Sequence, residues 1–488
     1  MSILILCLSL SFVNGLVSTP PSIEATTTIA DRPNVILILA DDLGWADIAA
    51  NNPETFHDTP ALDRLASRGL RFTQAYAAAP VCSPTRASVM TGRHPARLRT
   101  TDYFCGRRSG RLTPAPYVCA LPLEERTIAE ALRDVGYRTF FAGKWHLGPE
   151  GFWPEDQGFD LNRGGWTRGG PYGGKKYFSP FGNPRLEDGP PGEHLPDRLA
   201  RETASFISAD DSTPFFAMLS FYSVHTPLMA PEELVAKYEQ RKEGLPPRPL
   251  WGRERDRKVR LVQDHAIYAG MVESMDAAVG VVLDAVDEAG IADRTILVFF
   301  SDNGGLSTSE GHPTSNLPWR AGKGWLYEGG IREPFLIVAP GVTKAGSVTE
   351  VPIISHDLFP TILELCRIPI AKDRVLDGRS LVPILGRPEG ELETRRLHWH
   401  YPHYGNQGGA PSGAIRDGDW KLIEWFEDDD VELFHLGRDP GETRDLSGTH
   451  PEVVDRLRSA LDDWRNEVDA AMPTPNTDHR SSKSGSGP

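Results

Sequence analysis

Four stretches of this chain are apolar without alternation and stop abruptly at charged or amide side chains. Asn34–Ala40 (NVILILA) runs into Asp41-Asp42, and Arg138–Gly143 (RTFFAG) runs into Lys144-Trp145-His146. Residues 215–221 are followed shortly by His225, and Thr295–Ser301 by Asp302-Asn303-Gly304-Gly305. A strand that is apolar at nearly every position is buried on both faces. Between these runs, apolar residues recur at steps of three and four. The clearest set is Tyr268, Met271, Val272, Met275, Val279, Val282, Leu283 and Val286, a helix with a broad buried stripe. Strands alternating with helices predict an α/β fold with a mostly parallel central sheet and helices on both faces. Ligands of such sheets bind beyond the carboxyl ends of the strands, so the polar clusters are expected to converge on one cavity.

Beyond about residue 370 the pattern changes. Residues 397–401 and 420–423 read as short strands of a small antiparallel sheet, and residues 453–468 as an amphipathic helix. The expected organisation is a signal peptide over residues 1–25, a catalytic domain over 31–372, a C-terminal subdomain over 373–470 and a disordered tail over 471–488, rich in Ser, Pro and Gly. The signal peptide rests on the apolar run of residues 3–17, too short and too early for a spanning helix. No Lys or Arg precedes it; the first basic side chain is Arg32. The protein is therefore expected to be exported, periplasmic or extracellular, with no stable membrane anchor.

Composition narrows the partners. The 488 residues carry a formal net charge of −15, which argues against nucleic acid. An anionic substrate must then be caught by a local cationic pocket against the global field. One basic segment holds Arg93, Arg97, Arg99, Arg107, Arg108 and Arg111, read as surface arginines for the most part, with a subsite for an anionic ligand as the alternative. Of five cysteines, Cys7 falls in the signal peptide and Cys366 reads as a core residue. An exported location permits a disulfide between Cys105 and Cys119, which is expected in preference to free thiols. No zinc motif is present.

The chemistry gathers at a few places. Cys82-Ser83-Pro84-Thr85-Arg86, continuing Ala87-Ser88-Val89-Met90-Thr91-Gly92, reads as a short helix. Ser83 is the expected N-cap, Pro84 fits the first turn and Gly92 closes the end. Cys82 then sits where helix N–H groups and the positive end of the dipole face an anion. Asp41, Asp42, Asp302 and Asn303 offer three carboxylates and an amide. These are hard oxygen donors, suited to Ca²⁺ or Mg²⁺, and they would repel one another if brought together without a cation. Lys144, His146, His225 and Lys323 supply cations and proton carriers.

The Cys82 run resembles the signature of the type I sulfatases, in which this cysteine is converted to Cα-formylglycine. The runs Gly143-Lys144-Trp145-His146-Leu147-Gly148, His225-Thr226-Pro227 and Gly322-Lys323 with Glu328-Gly329-Gly330-Ile331-Arg332-Glu333-Pro334 resemble further blocks of that family. The resemblance spans nearly all of the chain from Pro33 onward. It implies an alkaline-phosphatase-like sandwich with a smaller C-terminal subdomain, and hydrolysis of sulfate esters by a formylglycine hydrate. It implies a divalent cation, favouring Ca²⁺, held by Asp41, Asp42, Asp302 and Asn303 together with residue 82. It assigns Arg86, Lys144, His146, His225 and Lys323 to the catalytic set, with His225 as acid and His146 as base or the reverse. A formylglycine-generating or sulfatase-maturing enzyme is the implied partner. Sulfated carbohydrate of galactose or N-acetylgalactosamine type is the expected substrate, met by Trp166, Arg168, His403 and Gln407. The rival readings are a phosphate or phosphonate ester hydrolase of the same superfamily and a non-catalytic glycan-binding relative.

Overall fold

The computed structural model describes residue 29 and residues 32–479, apart from residues 107, 210, 211, 372 and 391. The signal-peptide expectation therefore lies outside the described residues. The central sheet is built from β1 (Asn34–Ala40), β2 (Leu70–Tyr76), β3 (Arg138–Gly143), β4 (Leu161–Arg163), β5 (Phe215–Ser220), β6 (Thr295–Ser301), β7 (Arg332–Val338), β8 (Ser347–Thr349) and β9 (Ile353–Ile354). Its order is β8-β2-β7-β6-β1-β5-β3-β4, with β9 also paired to β2. Every pairing is parallel except the two made by β7. β1 lies at the centre, hydrogen-bonded to β5 and β6, which accounts for its being apolar at each position after Asn34.

The strand pleat sends alternate β1 side chains into separate cores. Val35, Leu37 and Leu39 join one layer; Ile36, Ile38 and Ala40 join the other. The first layer takes α2 (Cys82–Thr91) and α5 (Leu358–Leu365). The second takes α1 (Pro60–Arg68), α3 (Leu195–Ile207) and α4 (Ala266–Glu288). The three-and-four stripe read from the sequence is the buried face of α4. α4 is also long and apolar enough to cross a membrane by composition, but most of it is buried within the sandwich.

A second sheet, β10 (Arg396–Tyr401), β11 (Ser412–Asp417), β12 (Trp420–Trp425) and β13 (Asp430–His435), is antiparallel throughout and backed by α6 (Pro451–Glu467). Three expectations meet the structure here, two in this half and one at the cysteines near residue 105. Leu381, Ile384 and Leu385 lie in the same core as Val35 and Leu37, so residues past 372 pack onto the central sheet. The tail is ordered at its start: Thr474–Pro475 pairs with Leu112–Thr113, and the Asn476 side chain donates to the Gly110 carbonyl at 2.9 Å. Those backbone pairings offset the weak intrinsic order of a Pro-rich stretch. Finally, no disulfide joins Cys105 and Cys119; both thiols lie by Tyr117, whose hydroxyl is bonded to the Gly106 carbonyl at 2.6 Å. Cys366 is a core residue, and burial pushes its thiol up to about 12.

Candidate active site

The carboxyl ends of β1, β3, β5 and β6 lie side by side, and the charged residues that follow them meet there. Two bends make this possible. Asp42 and His146 adopt left-handed backbone (φ 63° and 56°), a conformation that costs energy outside glycine and persists where surroundings impose it. Gly143 (φ 103°) must be glycine, since a Cβ there would stand 1.9 Å from the Ser220 carbonyl oxygen.

Helix α2 enters from β2 with all ten residues buried. Its N-cap is Val81, in extended backbone, and the helix begins at Cys82. The expectation that Ser83 caps it is therefore corrected: Ser83 lies within the first turn, and its Oγ accepts the Phe104 amide at 3.1 Å, tying the chain at Phe104 to the helix. Gly92 does close the helix, in left-handed conformation (φ 72°). Cys82 Sγ lies 3.4 Å from His146 Nδ1.

Around this thiol the buried charges form a lattice of short contacts. Lys144 Nζ meets Asp41 Oδ2 at 2.6 Å, and Lys323 Nζ meets Asp42 Oδ1 at 2.5 Å. Asn303 Nδ2 donates to Asp42 Oδ1 at 2.8 Å. Arg86, one turn into α2, donates through Nε to Asp302 Oδ2 at 2.7 Å and through Nη1 to the Lys144 carbonyl at 2.9 Å and Ser220 Oγ at 2.6 Å. It thus pins the ends of β3, β5 and β6 to the helix rather than standing free beside Cys82. His225 Nδ1 donates to the Thr226 carbonyl at 2.7 Å, leaving Nε2 3.9 Å from Asp42 Oδ2. The Tyr177 hydroxyl bridges the carbonyls of Tyr222 and His225 at 2.6 and 2.8 Å, holding that loop in place.

Burial sets the protonation states. It holds both histidines neutral: His146 is driven well below its usual range by desolvation and then by Lys144 and Arg86, and His225 falls to about 4 through desolvation and Lys323. Burial pushes the Cys82 thiol up, against the pull of Lys144 and Lys323. For Asp42, desolvation is outweighed by Lys323, His225 and Lys144, which hold the carboxyl below its ordinary value. Asp41 moves upward: desolvation, reinforced by Asp302 and Asp42, exceeds the opposing effect of Lys144 and Arg86. Such crowding of carboxylates is the situation a bound cation relieves.

The donor set fits a hard divalent ion. Asp41 Oδ1, Asp42 Oδ2 and Asn303 Oδ1 are buried and without a hydrogen-bond partner. One ligand atom each of Asp41, Cys82 and Asp302 lies within 4.8 Å of the others. Unmet buried oxygens are costly, and carboxylate and amide oxygens match Ca²⁺ or Mg²⁺. Residue 82 adds the fifth position of the expected set.

A cavity of about 320 Å³ opens over this lattice, lined among others by Cys82, His146, His225, Lys323, Arg108 and Gln407. Of the four residues expected to meet substrate, only Gln407 lines it. Arg168 stacks its guanidinium 5.3 Å from the Trp166 ring, and Trp166 takes part through its carbonyl, which accepts the His146 amide. His403 is enclosed, with Nε2 bonded to Thr101 Oγ1 at 2.8 Å; a histidine in a Gly-rich loop looks alike in sequence whether it faces inward or outward. Within the basic segment, Arg93, Arg97, Arg99 and Arg111 pair with Glu125, Asp377, Asp469 and Asp428, and Arg108 reaches the cavity. Tyr172, Glu310 and Asn406 also line the wall. Their only mark in the sequence is position in Gly-rich loops.

A buried nucleophile position at a helix N-terminus, flanked by cations, neutral histidines and an oxygen cluster, defines a hydrolase of anionic esters on an α/β sandwich. Residues 33–368 match the Sulfatase family, and residues 319–467 match N-sulphoglucosamine sulphohydrolase, C-terminal. The chain belongs to the sulfatase family and is a sulfuric ester hydrolase. It is 31% identical over 493 aligned residues to a sulfatase of Formosa agariphila, covering 86% of this chain and 85% of that protein. To N-acetylgalactosamine-6-sulfatase of Homo sapiens it is 30% identical over 487 residues, covering 90% and 87%. Among solved structures, Ps i-CgsB in complex with k-i-k-neocarrahexaose superposes with a TM-score of 0.74 at 28% identity, over 91% of this chain and 95% of that one. The architecture is the alkaline-phosphatase-like sandwich expected from the sequence.

Proposed function

We propose that this sulfatase acts on sulfated carbohydrate, of galactose or N-acetylgalactosamine type, outside the cytoplasm, after a maturation enzyme converts Cys82 to formylglycine. The observation that carries the reading is the convergence of residue 82, Lys144, His146, His225 and Lys323 beside one cavity whose outer wall is polar. The similarity to N-acetylgalactosamine-6-sulfatase and to a structure holding a neocarrahexaose supports the sugar class.

Chemistry follows from the geometry. Sγ of Cys82 marks the place of the modified side chain, whose hydrate supplies a hydroxyl as nucleophile. A divalent cation, Ca²⁺ or Mg²⁺, held by Asp41, Asp42, Asp302, Asn303 and residue 82, supplies positive charge for the sulfate oxygens. Lys144 and Lys323 line the same point and stabilise charge developing on the transferring group. His146, 3.4 Å from residue 82, is placed to take a proton from it. His225 is neutral with Nε2 directed at the cluster, and is the candidate for moving a proton to or from the leaving oxygen. Arg86 and Ser220 hold the strand ends at fixed spacing, so they position rather than react.

Mass spectrometry of the peptide containing residue 82 from a host with maturation machinery is the first test, with formylglycine expected. Fully active enzyme carrying an ordinary thiol sinks the modification reading. A panel of defined galactose-, N-acetylgalactosamine- and glucosamine-sulfate oligosaccharides, run beside an aryl sulfate, tests the substrate. Rapid aryl sulfate turnover with no sugar cleaved leaves sulfatase activity and removes the carbohydrate assignment.

A further inference from the structure

The cavity receives an anion, yet one of its walls carries a carboxylate. Glu310 stands there in left-handed backbone (φ 53°), held from both sides. Gln407 Nε2 donates to Oε1 at 2.9 Å, Asn406 Nδ2 donates to the same oxygen, and Thr226 Oγ1 donates to Oε2 at 3.3 Å. A carboxylate accepts only from the nitrogen end of an amide, which fixes the orientation of Gln407. Its Oε1 must then point elsewhere. That oxygen has no hydrogen-bond partner, although Gln407 is 97% buried (3% exposed). The residue itself is firmly placed: Thr308 Oγ1 and Trp325 Nε1 donate to its carbonyl at 2.8 and 3.1 Å. Gly324 (φ 83°), directly after Lys323, leaves the space its side chain fills; a Cβ there would come within 2.7 Å of Gln407 Cβ. The Gln407 Oε1 oxygen is enclosed, packed against the backbone at Gly324 and Gly405, where an added Cβ would stand 2.9 Å from it, so Gln407 serves to orient the Glu310 carboxylate and the carboxylate is the group left facing the cavity.

We propose that the Glu310 carboxylate, oriented by Gln407, Asn406 and Thr226, is an acceptor for hydroxyl donors on the ring that bears the sulfate, so that the preferred ring presents free hydroxyl on this side rather than a second sulfate or carboxylate. The inference deepens the proposed function and rests on its carbohydrate reading. A ring hydroxyl donates to the Glu310 carboxylate. A second anionic group cannot donate, and it faces the Glu310 charge, which lies close enough to Lys323 to support that lysine's positive charge. Like charges brought together across an interface are strongly disfavoured, and sites built around hydrogen bonds reject ligands that leave them unpaired. The sulfate being cleaved is drawn to the lysines and the carboxylate turns away its neighbour, so one wall reads the substitution pattern of the ring.

The test compares kcat/KM for an oligosaccharide whose terminal galactose or N-acetylgalactosamine ring is singly sulfated with that for the same oligosaccharide sulfated also on a neighbouring carbon of that ring. Wild-type enzyme is expected to prefer the singly sulfated ring by about tenfold or more. Glu310→Gln, which keeps the shape and removes the charge, is expected to shrink that ratio by about tenfold. Wild-type preference for the doubly sulfated ring overturns the subsite without any variant, and so does a ratio unchanged in Glu310→Gln while sugars are still cleaved. Cleavage of neither sugar, with an aryl sulfate turned over, removes the carbohydrate reading and the subsite with it.

Discussion

The inner and outer ends of the one cavity are built on different principles. At the inner end, Asp41, Asp42, Lys144, Asp302 and Asn303 are fully buried, follow directly on parallel strands, and touch one another at 2.5–2.8 Å through Lys144, Lys323, Arg86 and Asn303. At the outer end, Tyr172 and Arg108 are exposed, Glu310 is half-buried, and each comes from a separate loop. The inner end suits charge held in low dielectric, where position is worth most. The outer end suits recognition of a leaving group by loops that can vary without disturbing the sheet. Reaction and selectivity are therefore separable in this molecule, and substitutions at the two ends should fail differently.

The largest effect belongs to residue 82. Cys82→Ala removes the proposed nucleophile position at the helix N-terminus and is expected to lower kcat by about 10⁴-fold or more, with the thermal unfolding midpoint little changed. Equal loss on aryl and sugar sulfates is the pattern required. A loss confined to sugars would mean that the inner end also selects the leaving group.

Next is the oxygen cluster. Asp302→Asn keeps the volume but removes an anionic ligand and weakens the partner of Arg86; activity should fall on the order of 10³-fold. A second readout is independent of turnover. Adding Ca²⁺ or Mg²⁺ to chelator-treated wild-type protein should raise its unfolding midpoint, by about 3 kcal/mol of stabilisation at a hundredfold excess over the dissociation constant. The same addition to Asp302→Asn should give a much smaller rise. An unfolding midpoint indifferent to both ions in wild-type protein would refute the cation site.

How much of this was readable in the chain divides along the same line. Asp41, Asp42, Lys144, His146, Asp302 and Asn303 were visible because each follows an unbroken apolar run, and a doubly buried strand has one place for its polar ending. The antiparallel β7 was not foreseen, since REPFLIV gives direction no signature. Ser83 stands two residues past the true N-cap because Ser and Pro together look like a helix start, whereas extended Val81 lets the helix begin at Cys82. His403 and Glu310 show the limit at the outer end. Both sit in Gly-rich loops, and which one faces the cavity is decided by tertiary contacts with Thr101 and with Gln407. Local sequence carries no trace of either.

The smallest predicted effect tests the distinction most directly. Arg108 is an exposed cation at the cavity rim, whereas Lys323 is buried and bound to Asp42 at 2.5 Å. Exposed charges are screened over about 8 Å at physiological ionic strength, and buried ones much less. Arg108→Ala should therefore raise KM for a multiply sulfated oligosaccharide by roughly two- to fivefold at low salt, with kcat nearly unchanged, because it removes attraction without touching the reacting group. In about 0.5 M salt the difference from wild type should largely vanish. Lys323→Ala, by contrast, should lose turnover on every substrate at low and high salt alike. If the Arg108→Ala defect persists undiminished in high salt, Arg108 makes a specific desolvated contact to substrate, and the outer end is built more like the inner one than its exposure implies.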